Sequence, residues 1–191
     1  VENSCFDKVL FANSGAEANE GQIKLARKYA KDHGHPERFV VITMKESFHG
    51  RTLATCTATG QYPVHRYFEP LPDGFRYAEF NNLDSVKAIM DEYVCAILTE
   101  LVQGEGGVRP ASREFLQGLR ELCDEKGILL MFDEVQVGSG RTGKLFAHQY
   151  YGVEPDTCSM AKALGSGVPI AAVCAKGEAA KVLTPGTHGS T

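Results

Sequence analysis

The strongest constraint on the fold is a set of short runs that are apolar almost throughout and end on polar or small residues. KVLFA (8–12), RFVVITM (38–44), VCAILTE (94–100) and ILLMFDE (128–134) are such runs, and DTCSMA (156–161) and PIAAVCAK (169–176) add two extended segments. A strand that alternates apolar and polar residues has one wet face, whereas one that is apolar at successive positions is covered on both. Helical patterns lie between the runs. In AEANEGQIKLARKYAKDHG, residues Ala18, Ile23, Leu25, Ala26 and Tyr29 form an apolar stripe that ends at Gly34. LDSVKAIMDEY is helical, SREFLQGLRELCDEKG is amphipathic, and RTLATCTATG reads as a short helix. Residues 60–81, rich in Pro, Tyr, Phe and Gly, read as an irregular excursion. The alternation predicts an α/β domain: a mostly parallel, mixed sheet with helices on both faces.

Such sheets bind ligands beyond the carboxyl ends of their strands. Here those ends carry NSGAEAN, ESFHGR, ELVQGEGG, DEVQ and AKALGSG, so polar and small residues concentrate where a ligand belongs. The segment GILLMFDEVQVGSGRTGK (127–144) first suggests a nucleotide hydrolase, with an acidic strand end and a G-x-x-x-x-G-K loop. That reading fails on three counts. Leu145 stands where a Mg²⁺-binding hydroxyl is needed, the loop does not lead from a strand into a helix, and the acidic strand precedes the loop. GSGRTGK is therefore expected to be a structural turn.

Three other features carry chemistry. Ser14-Gly15-Ala16 sits between a strand and a helix, where free N–H groups and the helix dipole attract a phosphate. Ser14 with Glu17 also spells a capping box, and the two readings are compatible. Asp133 emerges from a buried strand, so its carboxylate needs either a core cation or a protonated heterocyclic nitrogen. Lys162, in SMAKALGSG, is either a surface lysine beside a turn or an amine made nucleophilic by desolvation. Taken together, a phosphate cradle, an aspartate for a ring nitrogen and a lysine for a Schiff base are what pyridoxal phosphate requires. Phe48 is placed to cover a ring face, and Gln136 to donate to the ring's phenolic oxygen.

These residues closely resemble the class III, fold type I pyridoxal-phosphate aminotransferases. The resemblance runs through FANSGAEANEGQIKLARKYA, FHGRTLATCTATG, QGEGG, FDEVQVGSGRTGKLFAHQYYGVEPD, MAKALGSGVPI and GTHGST, and FHGRT looks most like the acetylornithine branch of the class. It implies that Gly15 and Ala16 bind the cofactor phosphate through their N–H groups and that Phe48 packs on the ring. It also implies that Asp133, Glu134, Val135 and Gln136 hold the ring nitrogen and phenolic oxygen, and that Lys162 is the Schiff-base lysine. Arg51 would bind a substrate α-carboxylate, and Glu105 would pair with an arginine outside this sequence to switch between substrates. Ser190 and Thr191 would reach the site of a neighbouring subunit, making the active unit a homodimer that takes a small amino donor and 2-oxoglutarate. Leu101, Val137 and Ser166 depart from the family's usual proline, threonine and glycine. The resemblance makes residues 1–191 part of a cofactor-binding large domain, with an N-terminal segment and a C-terminal small domain outside it. Little or no turnover is therefore expected from these residues alone.

Composition closes off other classes. A net charge of −4 gives nucleic acid nothing to bind broadly, and no apolar run approaches the ~18 residues that span a bilayer. The six cysteines are scattered inside apolar runs with no C-x-x-C pair, which predicts reduced thiols and a cytoplasmic setting.

Overall fold

The computed structural model describes residues 2–189. Its elements, in chain order, begin with β1 (Lys8–Ala12), α1 (Gly15–Asp32), β2 (Val40–Met44), α2 (Leu53–Ala58), α3 (Tyr62–His65), β3 (Phe75–Ala78) and α4 (Leu83–Ala88). Then follow β4 (Val94–Glu100), β5 (Val102–Gln103), β6 (Arg109–Pro110), α5 (Arg113–Lys126), β7 (Leu129–Asp133), α6 (His148–Tyr151), β8 (Thr157–Met160) and β9 (Ala171–Ala175). Seven strands form one sheet in the order β1-β9-β8-β7-β4-β2-β3, and β5 and β6 form a separate hairpin. The pairs from β8 through β3 are parallel, while β9 runs antiparallel to both β8 and β1. This is the mixed, mostly parallel sheet that the apolar runs predict.

Alternation along the central strands fills both faces. Leu130 and Phe132 of β7 join Ile97 of β4 in a core under α5, whose Phe115, Leu116, Leu119 and Leu122 face it. Leu129 and Met131 instead join Ala96 and Leu98 under α1, against Leu25 and Ala26. Each fully buried leucine contributes about 1.5–3 kcal/mol relative to an exposed one, so two such layers suffice to hold the sheet flanked. α1 begins at Ser14, whose Oγ accepts from Glu17 N at 3.2 Å, while Glu17 Oε2 accepts from Asn13 N at 2.6 Å. Both halves of a capping arrangement are thus present. Gly127, left-handed at φ 61°, closes α5.

One expectation fails in the excursion at 60–81. It contains α3 and an edge strand, β3, which pairs in parallel with β2 from Val41↔Phe75 to Met44↔Ala78. At four residues, half-buried and flanked by Pro and Gly, β3 is too short to show a period. LDSVKAIMDEY is helical only as far as Ala88. Residues 138–144 form consecutive turns, closed by Gly138 N to Glu134 O at 2.8 Å and Gly143 N to Gly140 O at 3.0 Å. All six cysteines are free thiols. Among the described residues no helix is long and apolar enough to cross a membrane, and no cluster of side chains could hold a metal ion.

Candidate active site

The register of the sheet lines up the chemistry. Glu100 at the end of β4 lies opposite Asp133 at the end of β7, which lies opposite Ser159 of β8. Asp133 continues the Leu129–Met131 face, so its side chain turns toward α1. It is 4% exposed and gathers four donors. Asn19 Nδ2 and His49 Nδ1 meet Oδ2 at 2.7 and 2.8 Å, and Val135 N and Ser159 Oγ meet Oδ1 at 3.0 and 3.3 Å. These donors answer the desolvation cost that the sequence poses, with a histidine where a core Arg or Lys was the alternative. His49 is itself buried, takes its main-chain anchor from Thr59 Oγ1 at 2.9 Å, and leaves Nε2 without a partner.

Beside this cluster, Glu100 Oε2 accepts from Phe48 N at 3.0 Å, tying down the backbone of the aromatic residue. Burial pushes the Glu100 carboxyl up to about 7; His49 opposes the rise and the neighbouring Asp133 carboxylate adds to it.

A cavity of about 410 Å³ opens over these strand ends. Ser14, Gly15 and Ala16 line it from the start of α1, and Phe48 and Arg51 from the loop after β2. Glu105 joins them from the tip of the β5–β6 hairpin, with Asp133, Val135 and Gln136 from the end of β7 and Lys162 from just beyond β8. Two glycines permit this convergence. A Cβ on Gly15 would come within 2.7 Å of Val135 Cγ1. On Gly50, whose φ is +144°, it would meet Thr55 Oγ1 at 2.5 Å and Ala16 Cβ at 2.8 Å. Arg51 is exposed, its guanidinium over the Phe48 ring at 5.5 Å from the ring centre, and both residues line the cavity.

Lys162 opens a short 3₁₀ turn in the left-handed region at φ 49°, and its Nζ donates to Gln136 Oε1. Its side chain thus reaches the segment that follows Asp133. Of the two readings of Lys162, the residue takes the exposed one, beside a turn whose following residues 163–164 are exposed as well.

Glu134 calls for a correction too. The resemblance groups it with Asp133 at the cofactor, but as the next residue it turns the opposite way. It does not line the cavity; its carboxylate accepts from Ala147 N, His148 N and His148 Nδ1 behind the sheet. Ser190 and Thr191 lie outside the described residues. Conversely, sequence reasoning missed Asn19, His49, Glu100 and Ser159. A buried histidine next to Phe48 and a glutamate ending an apolar strand carried a usable signal; Asn19, inside a helix, carried none.

The full chain, residues 1–191, matches the family model for aminotransferase class III. It belongs to the class III aminotransferases. An acetylornithine aminotransferase of Oceanobacillus iheyensis is 53% identical over the whole chain, which covers 48% of that protein. A succinylornithine transaminase of Salmonella paratyphi A is 54% identical, with 47% of it covered. Among solved structures, an N-acetylornithine aminotransferase from Stenotrophomonas maltophilia K279a superposes with a TM-score of 0.79 at 42% identity, over 96% of this chain and 45% of that one. The chain thus spans about half the length of the curated relatives it matches.

The cofactor of class III aminotransferases, pyridoxal phosphate, fits what this cavity offers. A buried, donor-rich carboxylate at one edge, an amine at the end of the neighbouring strand, an aromatic ring and a helix N-terminus built on small residues are the complements of its nitrogen, aldehyde, ring face and phosphate.

Proposed function

We propose that the chain is the cofactor-binding part of an aminotransferase that moves the terminal amino group of N2-acetyl-L-ornithine to 2-oxoglutarate. The products are N-acetyl-L-glutamate 5-semialdehyde and L-glutamate, a step of arginine biosynthesis. One observation carries the reading: Asp133 and Lys162 line the same cavity, from the ends of adjacent strands. When bound, pyridoxal phosphate supplies an electron sink for the carbon that loses its proton.

This chain's residues do the rest. Asp133, fixed by Asn19 and His49, presents a carboxylate to a ring nitrogen and holds a proton there. Lys162 Nζ, which reaches into the cavity, would tether the cofactor and would serve as the base and acid that moves the substrate's proton. Gly15 and Ala16 offer N–H groups to the phosphate, Phe48 covers the ring, and Val135 and Gln136 complete the pocket wall. Arg51 receives a carboxylate and Glu105 stands at the mouth. Ser190 and Thr191 complete the site of a second subunit in a cytoplasmic homodimer, with the small domain and N-terminal segment supplied by the rest of the longer protein. A second reading, transfer from succinylornithine, is favoured by the relatives of that name at 54% identity.

The test is to add pyridoxal phosphate to the chain, reduce with borohydride and map the product. The added mass is expected on Lys162, with the visible band lost in Lys162→Ala. Labelling spread over surface lysines, with that band intact in Lys162→Ala, overturns the assignment. Rates with acetylornithine and succinylornithine as donors to the longer protein separate the two substrates.

A further inference from the structure

Behind the sheet, on the side away from the cofactor cavity, three side chains form a line. Glu134 is fully enclosed, and both its oxygens take main-chain N–H groups, from Ala147 at 2.5 Å and His148 at 2.9 Å. Its Oε1 also meets His148 Nδ1 at 2.9 Å. An acceptor at Nδ1 selects the tautomer of the neutral ring, with the proton on Nδ1 and a lone pair on Nε2. That bare nitrogen lies 3.7 Å from the sulfur of Cys5, 143 positions away in sequence. The imidazole cannot swing aside, because Phe6 and Phe146 pack on it with ring centroids at 5.6 and 5.2 Å. Cys5 is partly exposed, whereas the other five cysteines are buried.

We propose that Cys5 is a modification site for small uncharged Michael acceptors, with His148 as its general base and Glu134 as the residue that orients it. The thiol sulfur bonds to the β-carbon of an α,β-unsaturated carbonyl as the carbon–carbon π bond opens. The thiol proton passes to His148 Nε2 and then to the enolate carbon. The net change is addition of S–H across the double bond, with no leaving group and no redox partner. Glu134 stabilises the transient imidazolium as a carboxylate does in other thiol–imidazole pairs.

The resting thiol keeps its proton. Burial pushes the Cys5 thiol up, the Glu154 and Glu134 carboxylates add to this, and Lys176 opposes it. The proton therefore stays on sulfur until an electrophile arrives, and proton removal by His148 sets the rate. The charged and titratable groups around the sulfur are Glu134 after β7, His148 of α6, Glu154 before β8 and Lys176 after β9, with the Cys158 and Cys174 thiols behind. The apolar ring cage and the carboxylates favour an uncharged reagent.

N-ethylmaleimide on the folded chain, followed by peptide mapping against time, tests this. The Cys5 adduct is expected first, with a rate that levels off with rising pH well before the thiol itself titrates. An unassisted thiol instead gains about tenfold per pH unit up to its own raised pKa, and such a profile through about pH 9 overturns the proposal. So does first labelling of any other cysteine. His148→Phe, which keeps the aromatic packing, is expected to slow the Cys5 adduct about 100-fold; an unchanged rate in a folded variant refutes the base. Should that variant fail to fold, the wild-type pH profile alone decides.

Discussion

Asp133 and Glu134 are chemically alike, adjacent and almost fully buried, yet they belong to different parts of the molecule. Asp133 faces α1, keeps four donors and still borders an open cavity; Glu134 faces α6, and its carboxylate is closed in by protein. The period of two along a strand separates them. The comparison shows that burial and hydrogen bonding do not mark a carboxylate that can meet a ligand in the cavity, since both residues have them. Access does: one carboxylate borders space for a ligand, and the other is the lid on a helix.

The largest effect should come from breaking the cavity side. Asp133→Ala removes the proposed partner of a ring nitrogen and leaves Asn19, His49 and Ser159 without their shared acceptor. Loss of the cofactor-dependent visible band is expected, with turnover in the longer protein falling by about 10³-fold or more, a change of about 4 kcal/mol in barrier. Turnover near wild type would remove Asp133 from the chemistry. Glu134→Ala should do the reverse. It strands two main-chain N–H groups and an imidazole, costing about 2–4 kcal/mol in denaturant unfolding, while the band forms normally in the fraction that stays folded. A lost band in folded protein would erase the distinction between the two carboxylates.

A third buried carboxylate, Glu100, sharpens the comparison because burial has moved its titration. Its folded value, about 7, stands above its ordinary 4.5. The folded state therefore holds more protons than the unfolded one between those values. Stability from this group is full below the lower value and is lost as pH rises through the window, by about 3 kcal/mol in all. Glu100→Gln, which keeps an acceptor for Phe48 N, should flatten that slope in urea titrations at successive pH. An unchanged slope would show that Glu100 is not its source.

The two sides also differ in how far they could be read from sequence. Asp133, Gly15 and Lys162 were legible because a strand end, a glycine before a helix and a lysine before Gly-Ser each break a local pattern. The orientation of Glu134 was legible in principle from the same alternation that places Leu129 and Met131, but the resemblance pulled it to the cofactor. Asn19 and His49 were not legible. Their roles depend on α1 crossing β7 and on Gly50 letting the loop after β2 approach α1, contacts that span 114 and 84 positions of sequence. For Lys162 the sequence left a surface position and a desolvated one open, and only the packing around the turn decides between them. For Gly50→Ala, with backbone and Ala16 both in the way, a loss of about 1–3 kcal/mol is expected in thermal unfolding, with weaker cofactor binding. Wild-type stability would show that the loop has room to shift.

The smallest effect separates two roles at one residue. Ser14 lines the cavity and also caps α1 by accepting from Glu17 N. If its hydroxyl serves the helix alone, Ser14→Ala costs about 1 kcal/mol of stability and leaves cofactor affinity nearly unchanged, because the phosphate contacts proposed for Gly15 and Ala16 are N–H groups that need no side chain. If the hydroxyl also meets the phosphate, affinity falls by about tenfold, a loss of about 1.4 kcal/mol in binding. Cofactor titration alongside a thermal melt measures both. A fall in affinity larger than the fall in stability would move Ser14 from the scaffold to the site, and the line between the two would then run through a single side chain rather than between neighbours.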